Sequence, residues 1–114
     1  MNNKKILNYT RQPISIITPK GVITIPSHGN ARCSSTRELV EYLEVEGSRV
    51  PINKTMFGSN TKLPIEKDDT IIIVSALTAN VLRKTRSDIY VVDEPVRESG
   101  RIVGCRALAK IVEY

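Results

Sequence analysis

Tryptophan is absent from this 114-residue chain, and aromatic residues make up only 4% of it. Proteins that bind single-stranded nucleic acid regardless of sequence stack successive bases on several exposed rings. Four tyrosines and one phenylalanine leave few rings for such a platform. The composition therefore argues against a general single-strand binder, and it predicts an aliphatic core.

Cysteine and histidine are also scarce. Cys33 and Cys105 lie far apart with no Cys-x-x-Cys pair, and His28 is the single histidine. Because a metal site needs several thiolate, imidazole or carboxylate ligands at suitable spacing, we expect no metal and no cofactor. No apolar segment has the length of a signal peptide or a membrane span. We therefore expect a reduced, cytoplasmic protein without a membrane partner.

Positive charge is in moderate excess. Seventeen Lys and Arg against twelve Asp and Glu give a net charge of +5, with a pI of about 9.4. The cations are scattered, with tight groups only at residues 4–5 and 83–86, so the chain lacks a basic run of five or more. This pattern favours an anionic partner of nucleotide size over a long nucleic acid.

Runs of β-branched residues dominate the chain. Residues 14–18 and 22–25 flank a Pro/Gly turn and predict a β-hairpin. Residues 70–74 contain three consecutive isoleucines and predict a central strand buried on both faces. Residues 78–84 begin with a capping residue, Thr78, and predict a short helix that ends near Thr85. Residues 89–92 and 101–112 predict two further strands.

The segment from 35 to 45 has two interpretations. Ser35-Thr36-Arg37-Glu38 matches a capping box ahead of apolar residues at roughly helical spacing. The same residues also fit a strand that turns back at 46–48 into a second strand, and we favour this interpretation. The sequence then predicts a single domain spanning residues 1–114. Its fold class is mostly β, with a small α+β fold as the variant: a compact antiparallel sheet, sandwich-like or barrel-like, with one short helix.

Arginines in the last third of the chain are the main candidates for ligand binding. Arg86 and Asp88 have a structural interpretation, a clamp between the helix and the next strand. Their functional interpretation is an anion site, since guanidinium groups present paired donors to phosphate oxygens. Arg32, Arg97 and Arg101 are the further arginines expected at this site.

The remaining candidates are rings, glycines and nucleophiles. Phe57 and Tyr90 are the rings expected against a base, although core packing is their alternative role. His28 lies in a Pro/Gly loop and completes the expected ligand-binding set. Gly29, Gly58 and Gly104 would let backbone amides approach the anion, or serve as turns and bulges. Cys105 is expected to be a core thiol and Ser75 lacks a nucleophile elbow, so no catalytic residue is assigned.

Several weak motifs occur together over nearly the whole chain. In order, they are Pro26-Ser27-His28-Gly29, Ala31-Arg32-Cys33, Thr55-Met56-Phe57-Gly58, Leu63-Pro64, Ile73-Val74-Ser75-Ala76, Arg86-x-Asp88, Val96-Arg97 and Gly100-Arg101-Ile102-Val103-Gly104-Cys105. In this order they resemble a family of small uncharacterised proteins of phages and prophages. The resemblance implies a phage setting, and by analogy an inhibitor of host defence.

Three functions follow as hypotheses. The first is a phage anti-defence protein that binds and sequesters a nucleotide-derived immune signal in the infected cell, without cleaving it. Its pocket would lie in a homo-oligomer, because a small domain offers limited volume alone. The second is a protein-protein inhibitor or a phage accessory or structural protein with no small ligand. The third is a metal-independent phosphodiesterase, which would need His28 or Cys105 close to the arginines.

Overall fold

The computed structural model of this protein describes residues 4–58 and 62–112. These residues form eight strands and one short helix, which confirms the predicted fold class. In chain order the elements are β1 (Lys5–Asn8), β2 (Ile14–Thr18), β3 (Gly21–Ile25), β4 (Ser34–Val45), β5 (Ser48–Gly58), β6 (Thr70–Ile73), α1 (Ala76–Leu82), β7 (Ile89–Glu98) and β8 (Arg101–Ala109).

Six of the strands form one sheet in the order β1-β6-β7-β8-β2-β3. The sheet is mixed, because β1 and β7 run parallel to β6 and β2 runs parallel to β8. The β2–β3 and β7–β8 pairs are antiparallel hairpins. The sheet curls until its edges meet where Asn8 of β1 bridges Ser27, just beyond β3. We call this body, made of β1–β3, β6–β8 and α1, the barrel.

Asn8 stabilises the contact between β1 and the residues just after β3, which we call the seam of the barrel. Its backbone N–H donates to Nδ1 of His28 at 2.9 Å, and its carbonyl oxygen accepts from the His28 N–H at 2.7 Å. Its buried side-chain amide donates to the carbonyl oxygens of Gln12 and Ile25 at 2.8 and 3.2 Å. Its Oδ1 accepts from the backbone N–H and the hydroxyl of Thr10. Every polar atom of this buried residue therefore has a partner, as a stable interior requires.

The core of the barrel lies around β6. All four residues of this strand are buried, and Ile72 and Ile73 are 1% and 0% exposed. A continuous β-branched run fits a strand that is covered on both faces, so this prediction is confirmed. In the sheet order, however, β6 lies next to the edge strand β1 and not in the middle.

The helix α1 begins earlier than the sequence predicts. Ser75 is the N-cap, and its Oγ accepts from the backbone N–H of Thr78 at 3.4 Å. The prediction of a cap at Thr78 is wrong, because Thr78 is buried in the first turn and donates its hydroxyl to the Ala31 carbonyl oxygen at 3.0 Å. The helix ends at Leu82 and is followed by turns through Thr85, near the predicted end.

The strands β4 and β5 stand apart from the barrel. They pair with each other in an antiparallel hairpin of 12 and 11 residues, which confirms the strand interpretation of 35–45. Glu46 and Gly47 close it with φ values of 48° and 81°, as a type I′ turn requires. Every residue of β4 is exposed, and in β5 only Ile52 and Gly58 are partly buried.

This hairpin gives the molecule an elongated shape. The radius of gyration is 18.4 Å, whereas a compact domain of this length has about 13 Å. The longest dimension is 63 Å. We call residues 34–58 the arm, because they project from the barrel.

In the described part of the chain, no helix is long and apolar enough to cross a membrane.

Candidate anion-binding cleft

A basic cleft lies at the carboxyl end of α1. Its walls are the turn after the helix, the start of β7, the segment before β6 and the segment after β8. It encloses about 650 Å³, a size typical of small-molecule pockets. The lining residues are Glu66, Arg83, Lys84, Thr85, Arg86, Ser87, Ile89, Lys110, Ile111 and Val112.

The end of the helix positions the basic turn. The carbonyl oxygen of Leu82 accepts from the backbone N–H groups of Thr85 and Arg86 at 3.0 and 3.1 Å, and from the Thr85 hydroxyl at 3.2 Å. This carbonyl would otherwise be unpaired at the helix end. The bonds turn the chain sharply, so the cations of residues 83–86 are gathered beside the carboxyl end of the helix dipole, which favours positive charge.

Arg86 and Asp88 form the clamp that the sequence predicts. The Nε and one Nη of Arg86 donate to the two carboxylate oxygens of Asp88 at 2.9 and 2.7 Å. The side chains are 17% and 5% exposed, so the pair is largely buried. The hydrogen bonds that Arg86 donates to the Asp88 carboxylate raise the pKa of Arg86 above its ordinary value, and the arginine stays charged. Asp88 uses two of the five N–H donors of the guanidinium, and three others are not used by it.

Glu66 holds the neighbouring residue of the same turn. One carboxylate oxygen of Glu66 accepts from the Ser87 hydroxyl at 2.5 Å, and the other accepts from the Ser87 backbone N–H at 3.3 Å. These bonds tie the segment before β6 to the start of β7. Glu66 thereby forms a fixed wall of the cleft.

A second cavity of about 320 Å³ adjoins the first. The two share Glu66, Ser87 and Lys110, and the second also includes Asp88 and Tyr90. The Nζ of Lys110 lies 5.7 Å from the centre of the Tyr90 ring. Three of the predicted site residues, Arg86, Asp88 and Tyr90, are therefore brought together at one end of the barrel.

The charge of this region is positive. The larger cavity is lined by Arg83, Lys84, Arg86 and Lys110, against the one carboxylate of Glu66, so the formal net charge of its lining is +3. The adjoining cavity adds two lysines and two aspartates, which leave this sum unchanged. Clefts lined by one sign of charge attract ions of the other sign.

Arg97 and Arg101 lie elsewhere. They are at the far end of the β7–β8 hairpin, where Arg97 pairs with Ile102 and Arg101 with Glu98. Arg97 follows Ile89 by eight residues, which is about 26 Å along an extended strand. Neither arginine lines the basic cleft or the adjoining cavity. Within one subunit, a nucleotide-sized ligand cannot reach Arg86 and Arg97 together.

The other predicted site residues are also separated from the cleft. Arg32 lines a different cavity of about 440 Å³, together with Arg11 and Ser75. His28 closes the barrel seam through its Nδ1. Phe57 lies on the arm and is 53% exposed.

The proposed glycine contacts are explained by packing at two positions. A Cβ on Gly29 would lie 2.9 Å from Cε1 of Tyr9, and one on Gly104 would lie 2.9 Å from the Ser15 carbonyl oxygen. Both glycines thus allow close approach inside the barrel. Gly58 lies in the arm, and an added Cβ would meet no atom within 4 Å.

The candidate nucleophile is buried. Cys105 is 3% exposed in the barrel core, and this burial raises the pKa of its thiol. The reactive thiolate is therefore disfavoured. Among residues 4–58 and 62–112, no group of three or more His, Cys, Asp or Glu side chains is arranged to hold a metal ion.

Sequence reasoning missed several residues of the cleft. Arg83 and Lys84 were visible as part of a basic group, but Lys110 lies far along the chain. It reaches the cleft because Ala109 pairs with Val91 across the β7–β8 hairpin. Glu66 had no recognisable signal, since its role depends on the fold of the segment before β6.

Comparison with known proteins gives no further assignment. No protein-family model matches the chain, and no characterised protein or solved structure shows significant similarity to it.

Proposed function

We propose that this protein binds and sequesters a nucleotide-derived signalling molecule in the basic cleft and does not cleave it. The observation that carries the proposal is the cleft of formal net charge +3 at the end of α1, with three donors of Arg86 not used by Asp88. Its setting, host defence in a phage-infected cell and hence the cytoplasm, follows from the resemblance of the sequence to small phage proteins.

The two adjoining cavities suit the two parts of a nucleotide. Phosphate oxygens would accept from Arg86, Lys84 and Lys110, which all line the larger cavity. Charge-assisted bonds of this kind are about twice as strong as neutral ones. The ring of Tyr90 lies in the smaller cavity, where a base would pack against it.

Binding without cleavage is supported by the positions of the possible catalytic groups. Cys105 is buried in the core, and Nδ1 of His28 accepts the Asn8 amide hydrogen. Neither residue lines the basic cleft. The cleft therefore offers cations and donors in its described wall, but neither of the nucleophile or base candidates.

A homo-oligomer would give Arg97 and Arg101 a role in the same site. In one subunit they lie too far from Arg86, but the corresponding arginines of a second copy could approach the cleft. The expected effect of Arg101→Ala thus separates two arrangements. Binding is unchanged if one subunit forms the whole pocket, and it is weakened by about 1.5–3 kcal/mol if the pocket is shared.

The first test is the effect of removing cleft cations. We expect Lys84→Ala and Lys110→Ala each to weaken binding of a retained nucleotide by about 1.5–3 kcal/mol, or roughly 10- to 100-fold, because a charged hydrogen bond is lost. Arg86→Ala combined with Asp88→Asn should do the same without leaving a buried carboxylate unpaired. Titration calorimetry with a panel of cyclic and linear nucleotides measures the change.

The matched control is Lys20→Ala, which removes the same charge at the turn between β2 and β3. It should leave binding unchanged apart from a small effect of net charge. Equal weakening by Lys20→Ala and Lys110→Ala would show that only overall charge matters. The proposed cleft would then be the wrong site.

A second function is favoured by a different observation. The projecting arm exposes many large apolar side chains, which suits a protein-protein inhibitor that acts on a host or phage protein. This function requires no nucleotide. A protein that is monomeric and retains no member of the nucleotide panel would support it over sequestration.

A further inference from the structure

One face of the arm is apolar over its outer half. In β5 the residues Val50 and Ile52 point to this face, since alternate residues of a strand share a side. Their partners across the hairpin are Leu43 and Glu41, and Val45 lies beyond them at the tip. Leu43, Val45 and Val50 are 48%, 49% and 39% exposed. We call Leu43, Val45, Val50 and Ile52 the apolar face.

The opposite face is more polar. Glu44 pairs with Arg49 there, and the guanidinium carbon of Arg49 lies 4.1 Å from the centre of the Tyr42 ring. That face thus carries two oppositely charged residues in register and a cation–π contact of its own. Three residues of the apolar face, Leu43, Val45 and Val50, are exposed within one chain and Ile52 is only partly buried, although a two-stranded hairpin alone is marginally stable in water.

The barrel carries an apolar groove beside β8. It encloses about 270 Å³ between β8, β7 and the start of β2, and its lining includes Val92, Ile102 and Val103. These three side chains are exposed. Arg97 lies opposite Ile102 in the sheet, and Arg101 precedes it, so cations flank the groove.

Charge favours contact between an arm and a barrel. The arm contains three Lys and Arg and four Glu, for a net charge of −1. The rest of the chain contains fourteen Lys and Arg and eight Asp and Glu, for a net charge of +6. Two barrels repel each other, whereas an arm and a barrel attract.

The geometry points to reciprocal arm exchange: the apolar face of one copy packs into the groove beside β8 of a second copy, and the reverse. The apolar face covers the outer half of the arm, about 10 Å wide and about 20 Å long, or about 200 Å². Each copy buries its own arm face and its own groove, about 400 Å² in all, which is the size of a weak, reversible contact. This inference deepens the proposed function, which expects an oligomer, but its test needs no ligand.

The test compares double substitutions on the two faces of the arm. Leu43→Glu with Val50→Lys replaces a directly paired apolar couple by an ion pair, so the hairpin keeps its own pairing. The matched control, Glu44→Lys with Arg49→Glu, is an equally charge-neutral exchange on the opposite face. Sedimentation equilibrium without nucleotide gives the mass of each, against 12.7 kDa for one chain.

We expect the wild type and the control to have at least twice the monomer mass. The Leu43→Glu/Val50→Lys variant should be monomeric, with a dissociation constant raised at least 100-fold. Ile102→Glu in the groove should produce the same loss. A monomeric wild type would overturn the inference. So would an oligomer that persists in either the Leu43→Glu/Val50→Lys variant or the Ile102→Glu variant.

Hydrogen exchange of the wild type tests the same contact without any substitution. Amides of the arm should lose protection when the protein is diluted below its dissociation constant, while amides of β6 stay protected. If the amide hydrogens of the arm are replaced by deuterium within seconds in the intact oligomer, the arm is not packed against a second copy and the inference is contradicted. A wild-type protein that is oligomeric but binds no nucleotide would instead count against the proposed function and leave the reciprocal arm exchange standing.

Discussion

In the barrel, Ile72 and Ile73 are 1% and 0% exposed, whereas in the arm Leu43 and Val45 are about half exposed. Both regions are built from β-branched and apolar residues in strands. The barrel buries them against its own sheet and helix, while the arm leaves them in water. The stability of a single chain therefore comes mainly from the barrel, whereas the apolar side chains of the arm are not covered within one chain.

The largest difference should appear on truncating apolar side chains. Ile73→Ala removes a fully buried side chain and should lower the free energy of unfolding by about 3–5 kcal/mol, since it leaves a cavity. Val45→Ala in the arm should change it by less than about 0.5 kcal/mol in the monomer. Urea unfolding of both variants measures the contrast, and equal losses would remove the distinction between the regions.

A smaller contrast is expected for two asparagines. Asn8→Ala removes four side-chain hydrogen bonds made by a fully buried residue at the seam, so it should cost about 2–4 kcal/mol. Asn53→Ala, on the exposed β5, is the matched substitution and should cost less than about 0.5 kcal/mol. Thermal unfolding compares them. If Asn8→Ala is equally mild, the seam does not hold the barrel closed.

Two glycines extend the same comparison. A Cβ at Gly104 would lie 2.9 Å from the Ser15 carbonyl oxygen, so Gly104→Ala should destabilise the barrel by about 1–3 kcal/mol. Gly58→Ala meets open space and should be neutral or slightly stabilising, because alanine restricts the unfolded chain. Denaturant midpoints report both effects, and a neutral Gly104→Ala would mean that β2 and β8 can move apart freely.

The smallest effect is a pH dependence. Burial raises the pKa of Cys105 in the folded barrel, so the folded state keeps this proton while the unfolded state loses it above about pH 8.5. The unfolded state then binds fewer protons, and stability falls as pH rises, by at most about 1.4 kcal/mol per pH unit. Cys105→Ala should flatten this slope relative to Cys33→Ala. Identical slopes in the two variants would assign the dependence to other groups.

Local patterns predicted much of the barrel. The Pro/Gly turn predicted the β2–β3 hairpin, and the isoleucine run predicted β6, because both signals are contained in a few adjacent residues. The sequence predicted the N-cap of α1 at Thr78, three residues after the observed cap, Ser75. The error arose because the burial of Thr78 against Ala31 depends on the fold. The last strand ends at Ala109, before the predicted limit of 112.

The site was less accessible to sequence reasoning. Arg86 and Asp88 are two residues apart, so their pairing could be predicted. Arg97 is also close in sequence, but the extended β7 carries it away from the cleft. Lys110 is distant in sequence and is brought back by the β7–β8 pairing. The projection of the arm had no local signal, because a hairpin sequence does not encode which surface covers it.

Native mass spectrometry of the protein after incubation with cyclic and linear nucleotides is the decisive test of sequestration in the basic cleft. Denaturation then identifies what each complex releases. We predict an oligomer that retains an intact nucleotide at a fixed ratio to subunits and loses it on Lys110→Ala. A cleaved nucleotide, or a ligand-free protein with every member of the panel, would contradict sequestration in the basic cleft.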